Sequence, residues 1–273
     1  MLTDHRSLKL DAVHSPVAEL RLLGHGRGNA LGPDFWRELP AAVAAVDAAA
    51  DIRALIVRGS GEHFSYGLDL PSMAAEIGAL LNDGARGRVE VPALAERMHS
   101  GFAALASSRL PVVAAIDGWC IGAGIELIAA CDLRIATKSA KFALREVRVG
   151  LVPDLGGLSR LPHLIGEAWT RELALLGDDI DAETALRIGL VTHLVEDSDA
   201  LTRESLRLAA RLAANPPMVV AAIKRTLNAR IDAEVTRLNR DAAIQNGLLM
   251  QSEDFAEAMR AFIERREAVF RGS

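Results

Sequence analysis

The chain has 273 residues, half of them hydrophobic, which is enough to bury a sizeable core in one large domain or in one domain with an appendage. Its 31 basic and 36 acidic residues give a formal net charge of −5, so we expect no nucleic-acid partner. Asp117 and Glu126 interrupt the apolar runs before they reach membrane-spanning length, so no membrane partner is expected.

Cysteine and histidine usage narrows the compartment and the chemistry. Cys120 and Cys131 are too few for a disulfide framework, and "MLTDHRSLKL" lacks the long apolar stretch of a secretory signal, so a cytoplasmic location is predicted. The seven histidines are scattered without metal-ligand spacing, and we predict no metal site. The glycine fingerprints of phosphate-binding loops and the G-x-S-x-G elbow are also absent from the sequence.

Strand and helix patterns alternate through the first half of the chain. In order, the hydrophobic periodicity predicts a strand at 18–24, a helix at 32–51, a strand at 53–59 and helical pattern over 71–108, with a break at 82–87. The next segments predict a strand at 110–118, a helix at 122–131 and strands at 132–137 and 140–144. This recurrence without identical repeats predicts an α/β fold of successive layered turns.

The pattern changes near Leu201. From there the sequence is nearly all helical, with a stop at Pro216 and Pro217 and helical pattern up to Arg266. We therefore divide the chain into a core at 1–200 and a helical region at 201–273. The apolar stripes of these helices must be covered by the core or by a neighbouring subunit.

One turn between a strand and a helix has the properties of an anion site. In "DGWCIGAGIEL" small residues precede the helix, whose first N–H groups have no intrahelical acceptor. Ala123 is expected in the first turn, with Glu126 three residues later on the same face. Acid–base chemistry beside an oxyanion needs this pairing. Alternatively, Glu126 only complements the helix dipole and pairs with Arg134 or Arg145.

Two further acids follow in "FALREVRVGLVPDLGG". Taken alone, Glu146 is explained as a surface partner of Arg145 or Arg148, and Asp154 as a turn residue before two glycines. Local pattern does not decide between these roles and a catalytic one.

Four ordered segments together resemble the crotonase, or enoyl-CoA hydratase/isomerase, superfamily: "HFSYGLDL", "AAIDGWCIGAGIELIAACD", "LREVRVGLVPDLGGLSRLPHLIG" and "AETALRIGLVTHLV". The likeness covers nearly the whole chain and implies the α/β crotonase-like (ClpP/crotonase) spiral of repeated ββα units. It further implies that the helices of 201–273 form an oligomerisation region. The expected assembly is a homotrimer or a homohexamer built as a dimer of trimers.

The resemblance assigns roles around the glycine turns. The turn at Gly67 would aim the N–H of Leu68 at a thioester carbonyl, and Ala123, where the family usually has glycine, would supply the second donor. The positions implied to bind coenzyme A and substrate are Arg27, Phe64, Ser65, Tyr66, Gly67, Leu68, Asp69, Leu70, Gly122 and Ala123. Basic residues near Arg265 and Arg266 are a further candidate for phosphate contact. No separate cofactor is implied, because coenzyme A is part of the acyl-CoA thioester substrate.

Two reactions of the family remain open. In the hydratases two glutamates, matching Glu126 and Glu146, hold a water that adds to a 2-trans-enoyl-CoA. In the dienoyl-CoA isomerases the acids match Glu146 and Asp154, and they convert a 3,5-dienoyl-CoA to the 2,4-dienoyl-CoA. Asp154 favours the isomerase, since hydratases typically have glycine at that position, and the sequences around the motifs are also more similar to those of the isomerases. Glu126, an aspartate in the isomerases, and the bulky Tyr66 argue against it.

The resemblance places the protein in fatty acid metabolism, with β-oxidation as the expected pathway. Other activities fit the same fold, such as thioester hydrolysis or decarboxylation. A non-catalytic acyl-CoA-binding protein and a scaffolding protein are alternatives of another class. Retention of Glu126, Glu146 and Asp154 favours an enzyme.

Overall fold

The computed structural model describes residues 5–273, without the side chains of Val13, His14, Arg27 and Ala74. The strands are β1 (Leu8–His14), β2 (Val17–Leu22), β3 (Ala54–Gly59), β4 (Val112–Ile116), β5 (Trp119–Ile121), β6 (Leu133–Thr137), β7 (Lys141–Ala143), β8 (Asp179–Asp181) and β9 (His193–Val195). The α-helices are α1 (Pro33–Ala48), α2 (Leu70–Asn82), α3 (Gly84–Ser107), α4 (Ala123–Ala129), α5 (Gly157–Leu176), α6 (Ala182–Arg187), α7 (Ser198–Ala213), α8 (Pro217–Ala229), α9 (Asp232–Leu249) and α10 (Glu253–Glu264).

The main sheet has the strand order β1-β2-β3-β4-β6-β9, and only the β1–β2 pair in it is antiparallel. Its central strands are hydrophobic on both faces, as parallel strands covered by helices must be. In β3, Leu55 and Val57 join the larger core with α1 and α3, whereas Ala54 and Ile56 face α7. The period-2 alternation of side chains therefore builds two apolar layers from one strand.

A second, three-stranded sheet has the order β5-β7-β8 and lies beside the first. Its strands have three residues each. Such strands are too short to show a period, which explains why the pattern predicts only the one corresponding to β7. The turn from β4 into β5 passes through Gly118, whose φ of 55° is accessible to glycine.

Several other predicted elements agree with the structure. The helical pattern over 71–108 is two helices, α2 and α3, divided at Asp83 inside the predicted break. Asp69 caps α2 by accepting a hydrogen bond from the N–H of Ser72 at 3.2 Å. The long helix α5 was not predicted, because glycines occupy both its N-cap and its first position and Gly166 interrupts its helical backbone with a φ of 77°.

The C-terminal region is helical from Ser198, and α8 begins at Pro217 next to the predicted stop. These helices differ in their packing. Helix α7 covers one face of the main sheet, while α9 packs against α3 and α5. Within residues 5–273, none of the helices combines the length and the apolar character needed to cross a membrane.

Helix α8 is joined to the sheet by a buried lysine. Lys224, 6% exposed, donates to the carbonyls of Leu105 and Leu110 at 2.8 and 2.9 Å and lies 2.8 Å from the carboxylate of Asp132. That carboxylate also accepts the N–H of Val112 at the start of β4. The ammonium thus satisfies three acceptors where α3, β4 and α8 meet.

We expect Lys224→Ala to lower the free energy of unfolding by about 3 kcal/mol, since it removes the counter-charge of Asp132 and the Lys224 hydrogen bonds to two buried carbonyls. Urea unfolding at fixed protein concentration measures the change. The control is Lys138→Ala, which removes an exposed ion pair with Glu196 and should leave the free energy of unfolding nearly unchanged, because solvent screens exposed pairs. Equal effects of the two substitutions would contradict this account of Lys224.

Candidate active site

A cavity of about 590 Å³ opens between the glycine turns and the helices α2, α3, α9 and α10. Most of its wall is apolar. The hydrophobic side chains that line it include Leu70, Ile77, Leu80, Val91, Leu94, Met98, Met250 and Phe262. Three carboxyl groups, those of Glu126, Glu146 and Asp154, lie in the same wall. A pocket with an apolar wall and a few convergent polar groups is typical of a small-molecule site.

The two glycine turns are held together by main-chain hydrogen bonds. Ser65 N–H donates to the carbonyl of Trp119 at 3.0 Å, and Ile121 N–H donates back to Ser65 at 2.9 Å. Gly67 has a φ of 80°, and a Cβ there would lie 2.7 Å from the Ile121 oxygen and 3.1 Å from the Ala123 nitrogen. The backbone at Gly67 therefore needs both a left-handed conformation and the absence of a side chain.

Leu68 and Ala123 both line the cavity. Among the described residues, the main-chain N–H of neither one has a protein acceptor. Their immediate neighbours are bonded: Gly67 N–H donates to the Ser65 hydroxyl, and Gly122 N–H donates to Ala143. Since a main-chain donor is rarely left unpaired, these two N–H groups are available to a bound molecule.

Glu126 lies on α4 and is 2% exposed. Its Oε1 accepts the N–H groups of Leu155 and Gly157 at 3.0 and 2.8 Å. The alternative in which it pairs with arginine does not hold, because Arg134 donates to main-chain carbonyls and Arg145 pairs with Asp179. Glu126 instead joins α4 to the loop that precedes α5.

Glu146 begins a short 3₁₀ turn, and its carboxylate points at Gly122. A Cβ on Gly122 would lie 2.8 Å from Oε1, so the missing side chain provides the space for this carboxylate. Its Oε2 is buried and has no hydrogen-bond partner in the described part of the chain. The surface ion pair considered from the sequence is not formed, since Arg145 and Arg148 bind Asp179 and Asp178.

Asp154 is more than a turn residue. Its Oδ2 accepts a hydrogen bond at 2.8 Å from the side-chain amide of Asn246 on α9. Asn246 lines the cavity and was not predicted, because 92 residues separate it from Asp154 and no local pattern connects the two positions.

Burial raises the pKa of all three carboxyl groups. The pKa of Glu126 is well above its ordinary value, because burial is reinforced by the charges of Glu146 and Asp154. Burial, with the charge of Asp154, raises the pKa of Glu146 to about 7. The pKa of Asp154 rises to about 6 by burial, against the opposing effect of the Asn246 hydrogen bond. Near neutral pH this cluster can hold and release protons.

Tyr66 lies at the rim of the cavity and is 43% exposed. Its ring stacks on His63 with centroids 5.1 Å apart and covers Gly28, where a Cβ would lie 2.2 Å from the ring. The side chain is therefore held over the turn at Gly26–Gly28. That turn includes the backbone of Arg27, whose side chain lies outside the described part of the structure.

The other residues implied in binding divide into two groups. Asp69, Leu70 and Gly122 line the cavity, whereas Phe64 and Ser65 are fully buried beneath the turn and do not line it. Trp119 and Arg145 are further cavity residues that were not predicted, and the Arg145 guanidinium lies 5.2 Å from the Trp119 ring centroid.

Near the C-terminus, Arg266 pairs with Glu257 and Glu264, so its charge is already compensated. These ion pairs are consistent with Arg266 lying at the exposed end of α10.

The sheet order and these paired turns define an α/β protein of the crotonase fold. The family model described as enoyl-CoA hydratase/isomerase matches residues 13–273, and the chain belongs to that family. The resemblance seen in the sequence, the fold class and the assignment as an enzyme of this family are thereby confirmed.

Individual relatives agree with this membership. The chain is 35% identical to the mitochondrial Δ(3,5)-Δ(2,4)-dienoyl-CoA isomerase of Dictyostelium discoideum, over 99% of this chain and 93% of that protein. It is 34% identical to the crotonyl-CoA hydratase of Syntrophomonas wolfei, over 89% of each chain. The crystal structure of an enoyl-CoA hydratase/isomerase from Pseudoalteromonas atlantica matches with a TM-score of 0.84 and 29% identity, over 97% of this chain and 100% of that one.

Because the folded protein raises the pKa of Glu146 to about 7 from an ordinary 4.5, its ionisation costs stability above pH 7. This cost decreases as the pH falls below 7, and it is absent below the pKa of Glu146 in the unfolded chain, 4.5. Glu146→Gln should therefore gain stability relative to wild type by about 3 kcal/mol between pH 4 and pH 8. Urea unfolding at both pH values tests this difference; a difference independent of pH would contradict the burial effect.

Proposed function

We propose that this protein is an isomerase that converts 3,5-dienoyl-CoA thioesters to 2,4-dienoyl-CoA thioesters. The observation that supports it best is the presence of two acids, Glu146 and Asp154, in one apolar cavity, both with pKa values raised toward neutrality. The likeness to a protein named as a Δ(3,5)-Δ(2,4)-dienoyl-CoA isomerase over nearly the whole chain supports the same reaction.

In this proposal the thioester oxygen binds between the N–H groups of Leu68 and Ala123. Negative charge grows on that oxygen as a proton leaves C2, and each donor can stabilise the transition state by about 3 kcal/mol. Both donors come from rigid turns, so they need no reorganisation during the reaction. The acidity of C2 therefore depends on these two main-chain groups.

The acids then move two protons. Because the pKa of Glu146 (about 7) lies above that of Asp154 (about 6), the reaction uses the less populated of the two singly protonated forms of this pair, the one with the proton on Asp154. In that form ionised Glu146 takes the C2 proton, and the C2–H electron pair enters the conjugated dienolate. Protonated Asp154 delivers its proton to C6, which leaves double bonds at C2–C3 and C4–C5. The substrate gains and loses one proton, and transfer from Glu146 back to Asp154 resets the enzyme. Glu126, held by Leu155 and Gly157, keeps the loop of Asp154 in place.

The apolar wall supports a fatty acyl substrate. Side chains of α2 and α3, including Ile77, Leu80 and Met98, line one side of the cavity, and Met250 and Phe262 line the other. A hydrocarbon tail buried there gains about 0.8 kcal/mol per methylene. The same wall limits water near the dienolate, which favours proton transfer within the substrate over hydration.

Hydration of 2-trans-enoyl-CoA is the second candidate function. It is supported by Glu126 and Glu146, which both line the cavity, and by the likeness to a protein named as a crotonyl-CoA hydratase. Within the described residues, Oε1 of Glu126 accepts hydrogen bonds from two main-chain N–H groups, and Oε2 has no hydrogen-bond partner. Oε2 is therefore the oxygen that would orient a water.

We also propose a homotrimer or a dimer of trimers. Helix α8 exposes a run of apolar side chains at Met218, Val219, Ile223 and Leu227, with Met218 85% exposed. Contact with a second subunit would cover them. No separate cofactor or metal enters the proposed reaction. The cytoplasmic location remains a prediction, while the Dictyostelium relative is named as mitochondrial.

The two reactions separate on two substrates. Purified protein offered a 3,5-dienoyl-CoA should increase ultraviolet absorbance as conjugation with the thioester forms; with a 2-trans-enoyl-CoA, hydration would decrease absorbance. We expect Glu146→Gln to lose isomerase turnover by at least about 100-fold, since it removes the base, with coenzyme A binding nearly unchanged. Asp154→Asn should lose isomerisation while any hydration persists.

The control for these acids is Asp178→Asn, because Asp178 is exposed and its ion-pair partner among the described residues is Arg148. It should keep wild-type turnover. Absence of turnover on the dienoyl substrate by wild-type protein, or an active Glu146→Gln variant, would overturn the proposed function.

Gly67→Ala should lower kcat/KM by about 100-fold, because its Cβ meets the Ile121 oxygen and separates the two N–H donors. The matched control is Gly61→Ala: Gly61 has a similar φ of 72°, but a Cβ there has nothing within 4 Å. In both variants an alanine must adopt a left-handed backbone conformation, so that strain is common to the two. A difference in kcat/KM therefore reports the contact between the Cβ at position 67 and the Ile121 oxygen. Equal activities of the two variants would show that this approach is not needed.

A further inference from the structure

The side-chain amide of Asn246 makes three hydrogen bonds to one short segment. Its Oδ1 accepts the N–H of Val152 at 2.9 Å, and its Nδ2 donates to the Val152 carbonyl and to Asp154 Oδ2, both at 2.8 Å. Asn246 is 2% exposed, so water does not compete for these groups. The residue connects α9 to the segment that presents Asp154 to the cavity.

These partners determine which way the amide points. The Val152 N–H can only donate, so it must meet Oδ1. Rotating the amide by 180° would place its oxygen against the Val152 carbonyl and the Asp154 carboxylate, which are both acceptors. In the orientation observed, both hydrogens of Nδ2 are used, and one of them belongs to Asp154.

A fixed donor at Oδ2 restricts the carboxyl group of Asp154. A proton on Oδ2 would face the N–H of Asn246, so the neutral acid carries its proton on Oδ1. The donor also stabilises the ionised form relative to the neutral one. Asp154 therefore has one oxygen reserved for Asn246 and one left to exchange a proton.

We propose that Asn246 is a positioning residue for the protonation step, which reserves Oδ1 of Asp154 as the proton-carrying oxygen and eases release of that proton. The proposal rests on the proposed function for its catalytic meaning. The effect of the Asn246 hydrogen bond on the protonation equilibrium of Asp154 does not depend on which substrate binds.

The other groups around this loop do not replace Asn246. Glu126 from α4 and Glu146 from the 3₁₀ turn are acids whose pKa values are raised by burial, so neither supplies a positive charge that would favour ionisation of Asp154. His99 from α3 and Arg160 from α5 lie behind Gly156, and neither hydrogen-bonds to Asp154. In the described part of the chain, Asn246 is the side chain that donates to this carboxylate.

The same helix offers a matched control. Asn239 lies two turns earlier on α9, is 8% exposed and accepts the Ser159 hydroxyl at 3.0 Å through its own amide. It does not line the cavity. Asn239→Ala and Asn246→Ala both remove a buried amide from α9, but only the second changes the surroundings of Asp154.

The test is an infrared titration of protein carrying ¹³C-labelled aspartate, with the Asp154 band assigned by its loss in Asp154→Asn. In wild type the midpoint should lie near pH 6. Asn246→Ala should raise it by about one pH unit, since a hydrogen bond to a charged group is lost. Asn239→Ala should leave it unchanged. An unshifted midpoint in Asn246→Ala would refute the proposal.

Two further measurements keep the proposal testable. Should Asn246→Ala not fold, the side-chain ¹⁵N signal of Asn246 in wild type must titrate with the Asp154 midpoint and lose that titration in Asp154→Asn. A signal that does not change with pH overturns the proposal.

In kinetics, Asn246→Ala should lower kcat and move the alkaline limb of the kcat–pH profile to higher pH, whereas a purely structural role lowers kcat alone. Inactive wild type would refute the proposed function, and the infrared result would still decide the role of Asn246.

Discussion

The close approach of two main-chain segments at Gly67 is the constraint on which the rest of the site depends. Ser65 bonds to β5 on both sides of Cys120, so the turn at Gly67 lies directly against the start of α4. Any side chain at Gly67 would enter the space of the Ile121 oxygen. This contact places the N–H groups of Leu68 and Ala123 at one cavity, although 55 residues separate them along the chain.

The acids are placed by a second set of contacts, at a cost in stability. Glu126 is buried and held by two N–H groups, Glu146 occupies the space left by Gly122, and Asp154 is bonded to Asn246. Three carboxyl groups in one apolar wall lose hydration and repel one another. Raised pKa values are the consequence, and they are also what proton transfer near neutral pH requires. The large core on both faces of the main sheet offsets this cost.

The C-terminal helices take part in the site as well as in packing. Asn246 and Met250 from the α9 segment and Phe262 from α10 line the cavity, while α7 covers the sheet. Residues beyond position 200 therefore complete a pocket whose acids come from the preceding core. The exposed apolar face of α8 lies in the same helical region, although none of the described residues of α8 lines the cavity.

The sequence by itself determined the α/β class, most of the main helices and central strands, and the family, because local periodicity and short motifs carry this information. It also indicated Glu126, Glu146 and Asp154 as candidate acids through the family resemblance, while local pattern left their roles open. Of the three-residue strands it predicted β7 but not β5, β8 and β9, which are too short to show a period. It also did not predict α5, which begins at a pair of glycines and is interrupted by a third. Whether Glu126 and Glu146 pair with arginines or face a cavity was decided only by the tertiary structure, since Arg134 and Arg145 bind other partners. The same holds for Asn246: hydrogen bonds between positions 92 residues apart depend on how α9 packs, and no local pattern encodes that packing.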